Sequence, residues 1–402
     1  MKEGWEYKTL GECCRITDFV SNGSFASLKQ NVNYYYSPNY ALLVRLADNS
    51  NNFDESKFVY TDKHGYDFTS KSHLNGGEII MSNVGSVGSV FICPDLNMPM
   101  TLAPNTISID TEYNKFYYYL FISPSFSSTL SEIVTKTTLK KFNKTNFKKL
   151  IVRVPTLLEE QRRIVSYLDS SFKLIDEIKE KAQKSLLEAK ALFQSALAEA
   201  MEPKEGWEEK TLGEISEIKG GKRVPKGFKL LTEPTNHKYI RVADFNDFGS
   251  ITLENIQYIS DEVYNQIKRY TISSEDVYIS IAGTIGKSGI IPKELEGANL
   301  TENACKLVLD SCAYKYFVYY FTKSTLFLNQ IKKLTMVSAQ PKLALTRLAT
   351  VNIPLPPLST QKQIVSHLDK LSSNVKQMEE KYQKMVEECD ALKQAMLRDV
   401  FE

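Results

Sequence analysis

The sequence predicts an α+β protein with a pseudo-two-fold internal repeat. Two similar globular domains are expected, separated by two long antiparallel α-helices that form a coiled-coil spacer. Three observations lead to this prediction: short motifs recur about 200 residues apart, each copy mixes apolar runs with turn residues, and each copy ends in a long stretch without proline or glycine. The expected segments are a domain at 1–157, a helix at 158–203, a domain at 204–357 and a helix at 358–402.

Three motifs recur in the same order, at offsets of 202, 200 and 198 residues. The pairs are GWEYKTLGE (4–12) with GWEEKTLGE (206–214), QRRIVSYLD (161–169) with QKQIVSHLD (361–369), and EIIMSNVGSVGS (78–89) with DVYISIAGTIGK (276–287). A period of this length is the size of a domain rather than of a solenoid repeat. The chain is therefore a tandem duplication.

The first part of each copy has the pattern of short strands with an aromatic helix. Apolar runs between Gly, Asn and Pro are typical of strands. The predicted strands are 42–46, 78–81 and 107–109 in the first copy, and 239–242, 277–279 and 306–309 in the second. The aromatic-rich segments 115–123 and 315–323 predict helices. This mixture favours the α+β class.

The second part of each copy predicts one uninterrupted helix, because 158–201 and 358–401 contain neither proline nor glycine. A helix of about 40 residues is about 60 Å long, which exceeds a domain of about 150 residues. Apolar residues at alternating steps of four and three indicate a coiled coil. The predicted seam residues are Ile164, Leu168, Ile175, Ile178, Leu192, Ile364, Leu368, Leu371, Val375, Met378, Tyr382, Met385, Leu392 and Met396.

Connectivity predicts the direction of the two helices. The connection 202–206 spans at most about 18 Å, so the second domain must follow the far end of the first helix. The second helix then runs back, which makes the pair antiparallel. We expect Ile164 near Met396 and Leu192 near Leu368. The alternative is that each helix packs on its own domain as an ordinary amphipathic helix.

Positive charge is concentrated in local blocks, although the net charge of the chain is only +2. Segment 115–153 carries eight basic residues and one acid, and segment 311–357 carries six basic residues and no acid. Such blocks are typical of phosphate contacts, with a solvated charged surface as the alternative. A further basic cluster comprises Lys219, Lys222, Arg223, Lys226 and Lys229. The candidates from these three segments are Lys140, Lys141, Lys144, Lys226, Lys332, Lys333 and Lys342.

No catalytic or metal-binding motif is complete, so no catalytic residue, metal or cofactor of this chain is expected. The turn 283–288 resembles the end of a phosphate-binding loop, but Ile281 replaces its first glycine. That turn is either a tight connection between strands or a backbone approach to a phosphate, assisted by Lys287. Segment 37–40 (SPNY) lacks the second proline of amino-methyltransferases. Six cysteines without a C-x-x-C pair and four scattered histidines argue against zinc.

Four segments of the sequence carry a resemblance to a known family: GWEYKTLGE, its repeat GWEEKTLGE, the Gly-Thr-Ile-Gly-Lys turn, and VNIPLPPL (351–358) followed by QKQIV (361–365). They resemble the specificity subunit of type I restriction–modification enzymes. The resemblance covers the whole chain. It implies that the globular parts are target recognition domains and that the helices set the distance between half-sites. Segment 155–158 (PTLL) departs from the second copy's PLPPL.

The resemblance also implies the partners. These are double-stranded DNA, two modification (methyltransferase) subunits and restriction (motor and nuclease) subunits. The partner subunits, rather than this chain, would use S-adenosylmethionine, and ATP with Mg²⁺. The chain itself would be a non-catalytic DNA-recognition subunit in the cytoplasm. The alternative function is a coiled-coil scaffold with two protein-binding heads, against which the basic blocks weigh.

Divergent loops on two otherwise similar domains are where base readout is expected. Segments 21–33 and 220–229 occupy corresponding positions but share almost no residues. The side chains with suitable donors are Asn22, Lys29, Gln30 and Asn31 in the first loop, and Lys222 and Arg223 in the second. Different loops predict different half-sites and therefore a bipartite, asymmetric target. A variable surface loop is the alternative in each case.

Overall fold

The computed structural model describes residues 4–135, 137–246, 249–335 and 342–402. The chain divides into two compact units. Unit 1 comprises Met1–Lys181 and Gln383–Glu402, and unit 2 comprises Ala182–Tyr382. The unit boundaries lie inside the two long helices rather than at their ends, because each unit includes one end of each helix.

Unit 1 contains short strands and short helices before its first long helix. The strands are β1 (Trp5–Thr9), β2 (Arg15–Asp18), β3 (Ala41–Val44), β4 (Tyr60–Thr61), β5 (His73–Leu74), β6 (Ile79–Ser82), β7 (Val90–Ile92), β8 (Met100–Leu102), β9 (Thr106–Asp110) and β10 (Ile151–Pro155). The helices are α1 (Leu10–Cys13), α2 (Phe25–Asn31), α3 (Leu46–Ser50), α4 (Lys63–Phe68), α5 (Asn114–Phe121), α6 (Pro124–Ser131) and α7 (Lys144–Lys148). Short 3-10 helices cover Phe19–Asn22, Glu55–Lys57 and Ser70–Ser72.

The first long helix is α8 (Leu158–Ala200), and the second is α14 (Leu358–Phe401). Between them, the strands of unit 2 are β11 (Glu208–Thr211), β12 (Ser216–Gly220), β13 (His237–Ile240), β14 (Gln257–Ile259), β15 (Val277–Ser280), β16 (Ser288–Gly289), β17 (Asn299–Leu300), β18 (Ala304–Leu309) and β19 (Asn352–Leu355). Its short helices are α9 (Leu212–Ile215), α10 (Asp261–Ile267), α11 (Lys315–Lys323), α12 (Thr325–Thr335) and α13 (Leu345–Leu348), with 3-10 helices at Val242–Asp244 and Lys293–Leu295. No helix among the described residues is long and apolar enough to span a membrane.

The two units share one sheet plan, which confirms the predicted α+β duplication. In each, the first strand pairs with the strand that precedes the long helix, β1 with β10 and β11 with β19. A four-stranded antiparallel sheet follows, with order β2-β9-β6-β7 in unit 1 and β12-β18-β15-β16 in unit 2. The third sheet of each unit is mixed, and it contains the parallel pair β3–β8 in unit 1 and β13–β17 in unit 2. The repeat in the sequence is therefore a repeat of strand pairing.

The repeated TLGE sequence forms a capped helical turn in both units. The backbone N–H of Thr9 donates to Glu12 Oε2 at 2.7 Å, and Thr211 N–H donates to Glu214 Oε2 at 2.6 Å. These bonds form a capping box and, with those from the threonine hydroxyls, lower the pKa of each glutamate. A Cβ at the intervening Gly11 would lie 3.2 Å from the carbonyl oxygen of Lys148, so glycine permits the close approach of α7.

The repeated QxxIVSxLD sequence anchors the start of each long helix to its unit. Asp169 accepts hydrogen bonds from Tyr119 at 2.6 Å and from Lys115 at 2.7 Å, and Asp369 accepts one from Tyr320 at 2.7 Å. Burial, followed by the bond to aspartate, raises the pKa of both tyrosines. Each tyrosine therefore remains a hydrogen-bond donor at neutral pH.

Each core is completed by both long helices. In unit 1, the start of α8 (Ile164, Leu168) and the end of α14 (Leu397, Phe401) lie in one cluster with residues of the sheets. In unit 2, the end of α8 and the start of α14 do the same, through Leu197, Met201, Val365 and Leu368. Unit 1 thus joins segments of the chain that are more than 200 residues apart.

Ion pairs show that the helices run antiparallel within each unit. In unit 1, Lys179 contacts Asp390 at 2.8 Å, and Asp176, three residues earlier, contacts Lys393, three residues later, at 2.6 Å. In unit 2, Lys190 contacts Glu379. The predicted neighbours Ile164 and Met396 pack in the same cluster of unit 1. Leu192 is exposed and lies outside the apolar cluster of unit 2 that contains Leu368, so the predicted pair is not part of this core.

The buried stripe of α8 differs in phase from the predicted seam. From Ile175 to Ala196, the buried and half-buried apolar residues, together with the half-buried Lys179, follow steps of four and then three: Ile175, Lys179, Ala182, Leu186, Ala189, Phe193 and Ala196. The predicted seam instead placed the next position three residues after Ile175, at Ile178, and a later one at Leu192. Both residues are exposed, so the prediction was wrong at these two positions. The physical reason is that a lysine stem can lie along an apolar surface while its ammonium remains in water, so Lys179 takes a position that polarity assigns to Ile178.

The predicted stripe of α14 is wrong only at Leu392, which is exposed while the neighbouring Lys393 is half-buried. Lys393 also lies over the ring of Phe172, with 5.0 Å between its ammonium and the ring centroid. The other predicted positions of this helix are buried or half-buried: Ile364, Leu368, Leu371, Val375, Met378, Tyr382, Met385 and Met396.

The phase of α8 can be tested with two adjacent leucines. Leu186 is 8% exposed and Leu187 is 59% exposed. We expect Leu186→Ala to lower the free energy of unfolding by about 2–4 kcal/mol through lost burial and a cavity, and Leu187→Ala to change it by less than about 0.5 kcal/mol. Denaturant unfolding followed by circular dichroism measures both. An equal effect of the two substitutions would contradict the four–three phase.

Thiol reactivity provides a second test of the fold. Burial raises the pKa of the Cys93 and Cys305 thiols to about 12, whereas Cys312 is exposed. Because the thiolate is the nucleophile, iodoacetamide at pH 8 should label Cys312 in the native protein, and Cys93 and Cys305 only after unfolding. Peptide mass spectrometry gives the order of labelling. Native labelling of Cys305 at the rate of Cys312 would show that this core is open.

Candidate nucleic-acid interface

A glycine turn follows the central strand of the four-stranded sheet in each unit. Gly85 and Gly88 in unit 1 have φ of +82° and +85°, and Gly283 and Gly286 in unit 2 have φ of +73° and +88°. These are left-handed conformations that favour glycine. Gly286 N–H donates to the carbonyl of Ser280 at 2.9 Å, closing a tight hairpin. The turn is therefore a strand connection, and Lys287 within it is half-buried.

A basic segment lies directly beside this turn in both units. Gly85 N–H donates to the carbonyl of Lys140 at 2.9 Å, and Val84 forms a bridge with Lys141. In unit 2 the equivalent bridge joins Ala282 to Lys342. The Lys140, Lys141 and Lys342 side chains are exposed and make no hydrogen bond or ion pair with the described part of the chain. Each unit thus presents, beside the equivalent turn, exposed lysines that have no acidic partner among the described residues.

Helix α12 adds two more lysines to this surface in unit 2. The helix packs on the glycine turn, because a Cβ at Gly286 would lie 3.6 Å from Leu328 Cδ2. Lys332 and Lys333 are in its last turn and are exposed. In unit 1 the equivalent helix, α6, ends at Ser131 and has no lysine there. The positive charge of unit 1 therefore comes from the segment after the helix.

Lys144 was predicted to contact phosphate, but the structure gives it another role. Its ammonium lies 2.8 Å from Asp18 Oδ1 and also donates to Ser21 Oγ. Asp18 is buried, and a buried carboxylate requires a compensating charge. Lys144 is consequently a positioning residue that ties α7 to the 3-10 helix at Phe19–Asn22.

The loop of unit 1 predicted to read bases forms that 3-10 helix and α2. The Asn22 amide is used within the fold: it donates to Ser72 Oγ at 2.7 Å and accepts from Lys71 N–H at 2.9 Å. Asn31 likewise donates to the carbonyl of Ser27 and contacts His64 Nε2 at 3.0 Å. The prediction that Asn22 and Asn31 contact bases is therefore corrected, because the fold uses both side-chain amides. Lys29 and Gln30 are exposed on α2.

The corresponding loop of unit 2 is irregular and basic. Lys222 N–H donates to the carbonyl of Leu300 at 2.8 Å, and the Lys222 ammonium lies 5.7 Å from the Tyr270 ring centroid. Arg223 pairs with Glu302 at 2.5 Å while its guanidinium stays largely exposed. Lys226 is exposed. Although burial opposes it, the Arg223 hydrogen bond lowers the pKa of Glu302, so the pair is charged at neutral pH.

Exposed aromatic residues were missed by the sequence analysis. Phe25 at the start of α2 is 78% exposed, and Tyr36 is 84% exposed. In contrast, Tyr117 and Tyr119 are buried. The available signal was local: Phe25 follows Ser24, whose hydroxyl caps α2 by accepting from Ser27 N–H at 3.2 Å. Among the described residues, no group of three or more His, Cys, Asp or Glu side chains could hold a metal ion.

Comparison with known proteins finds one family in both repeats of the chain. The family model of the type I restriction modification DNA specificity domain matches twice, at residues 2–189 and 204–388. These two matches correspond to the two repeats of the chain.

Among curated relatives, the specificity subunit of the type I restriction enzyme EcoBI from Escherichia coli is 22% identical over 363 residues, covering 81% of this chain and 73% of that protein. The MjaVIII specificity subunit from Methanocaldococcus jannaschii is 26% identical over 334 residues, covering 78% of this chain and 74% of that protein.

Two solved structures share the fold. One is a chain from a study of complex assembly and conformational transition of the type I R-M system, with TM-score 0.77, 19% identity, and coverage of 100% of this chain and 98% of that chain. The other is the HsdS subunit from Thermoanaerobacter tengcongensis, with TM-score 0.58, 19% identity, and coverage of 100% and 97%. The family model covers most of the chain, and these matches favour DNA recognition over a protein-binding scaffold. This protein belongs to the type I restriction modification DNA specificity family.

Proposed function

We propose that this chain reads a bipartite, asymmetric DNA target, with one half-site for each unit. The observation that carries the proposal is the combination of a constant and a variable surface. Both units place exposed lysines beside the same glycine turn, whereas the neighbouring loops differ in sequence and in secondary structure.

The constant surface suits the part of DNA that does not vary. Phosphate contacts orient a protein on the duplex without carrying sequence information, and base contacts supply the specificity. Lys140 and Lys141 in unit 1, and Lys332, Lys333 and Lys342 in unit 2, are exposed cations without an acidic partner among the described residues. The loops around α2 and around Arg223 then read the two half-sites. The length of α8 and α14 sets the gap between them.

The chain acts in this proposal as the non-catalytic subunit of a larger complex in the cytoplasm. Two modification subunits supply the methyltransferase, with S-adenosylmethionine as methyl donor. Restriction subunits supply the motor and the nuclease, with ATP and Mg²⁺. The support for these partners is membership of the family; the residues of this chain supply DNA recognition.

The phosphate contacts can be tested through the salt dependence of binding. Lys140→Ala combined with Lys141→Ala should reduce the slope of log K against log salt by about two, because each lost phosphate contact removes about one counterion from the balance. Affinity should fall equally for target and random duplexes. Fluorescence anisotropy of the full-length chain, assembled with its modification subunits, measures both quantities.

The matched control for this experiment is Lys173→Ala with Lys181→Ala, two exposed lysines on α8 in the same unit. This variant should keep the parental slope. If the Lys140/Lys141 variant also keeps it, those lysines are solvated surface and the phosphate assignment is wrong.

The division of labour between the units can be tested by domain exchange. Residues 1–157 are replaced by the equivalent segment of a relative that keeps the apolar residues packed against Leu397 and Phe401. Mapping of methylated adenines across the genome should show a change in one half of the motif and none in the other half or in the gap. A change in both halves at once would mean that the units read one continuous site.

A further inference from the structure

Helix α2 presents an exposed face that combines apolar and hydrogen-bonding side chains. Phe25, Ala26, Lys29 and Gln30 are all exposed, whereas Leu28 is buried against the unit. Residues four apart lie on the same side of a helix, so Phe25 stands next to Lys29 and Ala26 next to Gln30. An aromatic ring and two polar chains thus face outward together.

The inward side of this helix is held firmly, while the outward groups remain available. Asn31 and Asn22 use their amides to fix the two ends of the segment, as described above. Lys29 and Gln30 make no side-chain hydrogen bond or ion pair with the residues that the structure describes. A rigid support with free outward groups is what precise recognition of a ligand requires.

The position of α2 is fixed relative to the basic segment of unit 1. Lys144, three residues after Lys141, contacts both Asp18 and Ser21. Ser21 in turn lies four residues before Phe25. These contacts tie the start of α2 to the basic segment that carries Lys140 and Lys141.

Negative charge near α2 selects which part of the helix faces the duplex. Asp62 accepts hydrogen bonds from Gly65 N–H at 2.7 Å and from the Tyr35 hydroxyl at 2.9 Å, and also contacts Asn33 beyond the end of α2. The Gly65 bond lowers the pKa of Asp62, which keeps its carboxylate charged. The Asp18 charge near the other end is balanced by Lys144. The Asp62 carboxylate therefore disfavours phosphates near Asn33 more than the paired Asp18 does near Phe25.

We propose that α2 enters the major groove of the half-site read by unit 1, where Phe25 and Ala26 contact thymine methyl groups and Gln30 bonds the edge of an adenine. The inference rests on the proposed function and adds to it the base types that unit 1 contacts. A helix 10–12 Å across fits a groove about 12 Å wide. Seven residues rise about 10 Å, which is about three base pairs. Phenylalanine and alanine suit the methyl of thymine, and glutamine pairs with adenine.

The proposal applies to unit 1 alone. In unit 2, residues 221–236 are all described and contain no helix. The reader there is the irregular loop with Lys222 and Arg223, and arginine and lysine suit guanine. The two half-sites are therefore expected to differ in composition, with A·T pairs in the one that unit 1 reads.

The experiment selects sequences from a duplex library of random base pairs, using the full-length chain assembled with its modification subunits. Phe25→Ala and Gln30→Ala should each relax one or two positions of the same half-site. The preference lost at such a position should be about 5- to 150-fold. Tyr7→Ala is the matched control, because Tyr7 is also an exposed aromatic residue of unit 1, at 69%, but lies on β1. It should leave both half-sites unchanged.

Removal of the methyl group alone gives the sharper measurement. Replacing by deoxyuridine the thymine whose selection depends on Phe25 should weaken binding of the parent chain about fivefold or more and leave the affinity of the Phe25→Ala variant unchanged. Thermal midpoints equal to the parent's confirm that the variants fold. If the parent selects no motif, the proposed function fails. If the parent selects a bipartite motif that both α2 variants retain, the function stands and the inference about α2 is overturned.

Discussion

Closure of each core by both long helices is the constraint on which the rest of this structure depends. In unit 1, Phe401 of α14 packs against Phe116 of α5 with 5.6 Å between ring centroids, although 285 residues of sequence separate them. Leu197 and Met201 of α8 close unit 2 in the same way. Shortening or rotating either helix would open an apolar core, at a cost of several kcal/mol per large side chain. The strands that lead into the glycine turns, β6 and β15, contribute residues to those same cores.

The duplication preserves contacts more faithfully than it preserves residues. Tyr66 in α4 and Tyr264 in α10 are 198 residues apart, and each stacks on a histidine with 6° between ring planes. The histidine is His73 from β5 in unit 1 and His237 from β13 in unit 2. The same stacking is therefore supplied by different strands. Selection on packing leaves the supporting frame similar in both units, while the exposed loops beside the turns are free to diverge.

The sequence was sufficient for the features that are local or repeated. The duplication, the extents of α8 and α14, and the strands that include IIM and VYI follow from motif spacing, turn residues and the absence of proline and glycine. The phase of α8 did not, because Lys179 and Ile178 exchange the positions that their polarity suggests. The roles of Asn22, Asn31 and Lys144 were also inaccessible, since their partners Ser72, His64 and Asp18 lie 50, 33 and 126 residues away in sequence. Whether an amide is free or used by the fold is a tertiary property.

The order along the chain of the segments that form each unit has a consequence for synthesis of the protein on the ribosome. All of unit 2 is one continuous stretch, Ala182–Tyr382, so its core can close as soon as that stretch has emerged. Most of unit 1 is made before unit 2, but its core needs Leu397 and Phe401, which are made after unit 2. At about 5–20 residues per second, its apolar surface beside Phe116 waits roughly 15–60 s for the end of α14. The first repeat to be translated is therefore the last to fold, and it is the one that needs protection by chaperones in the nascent chain.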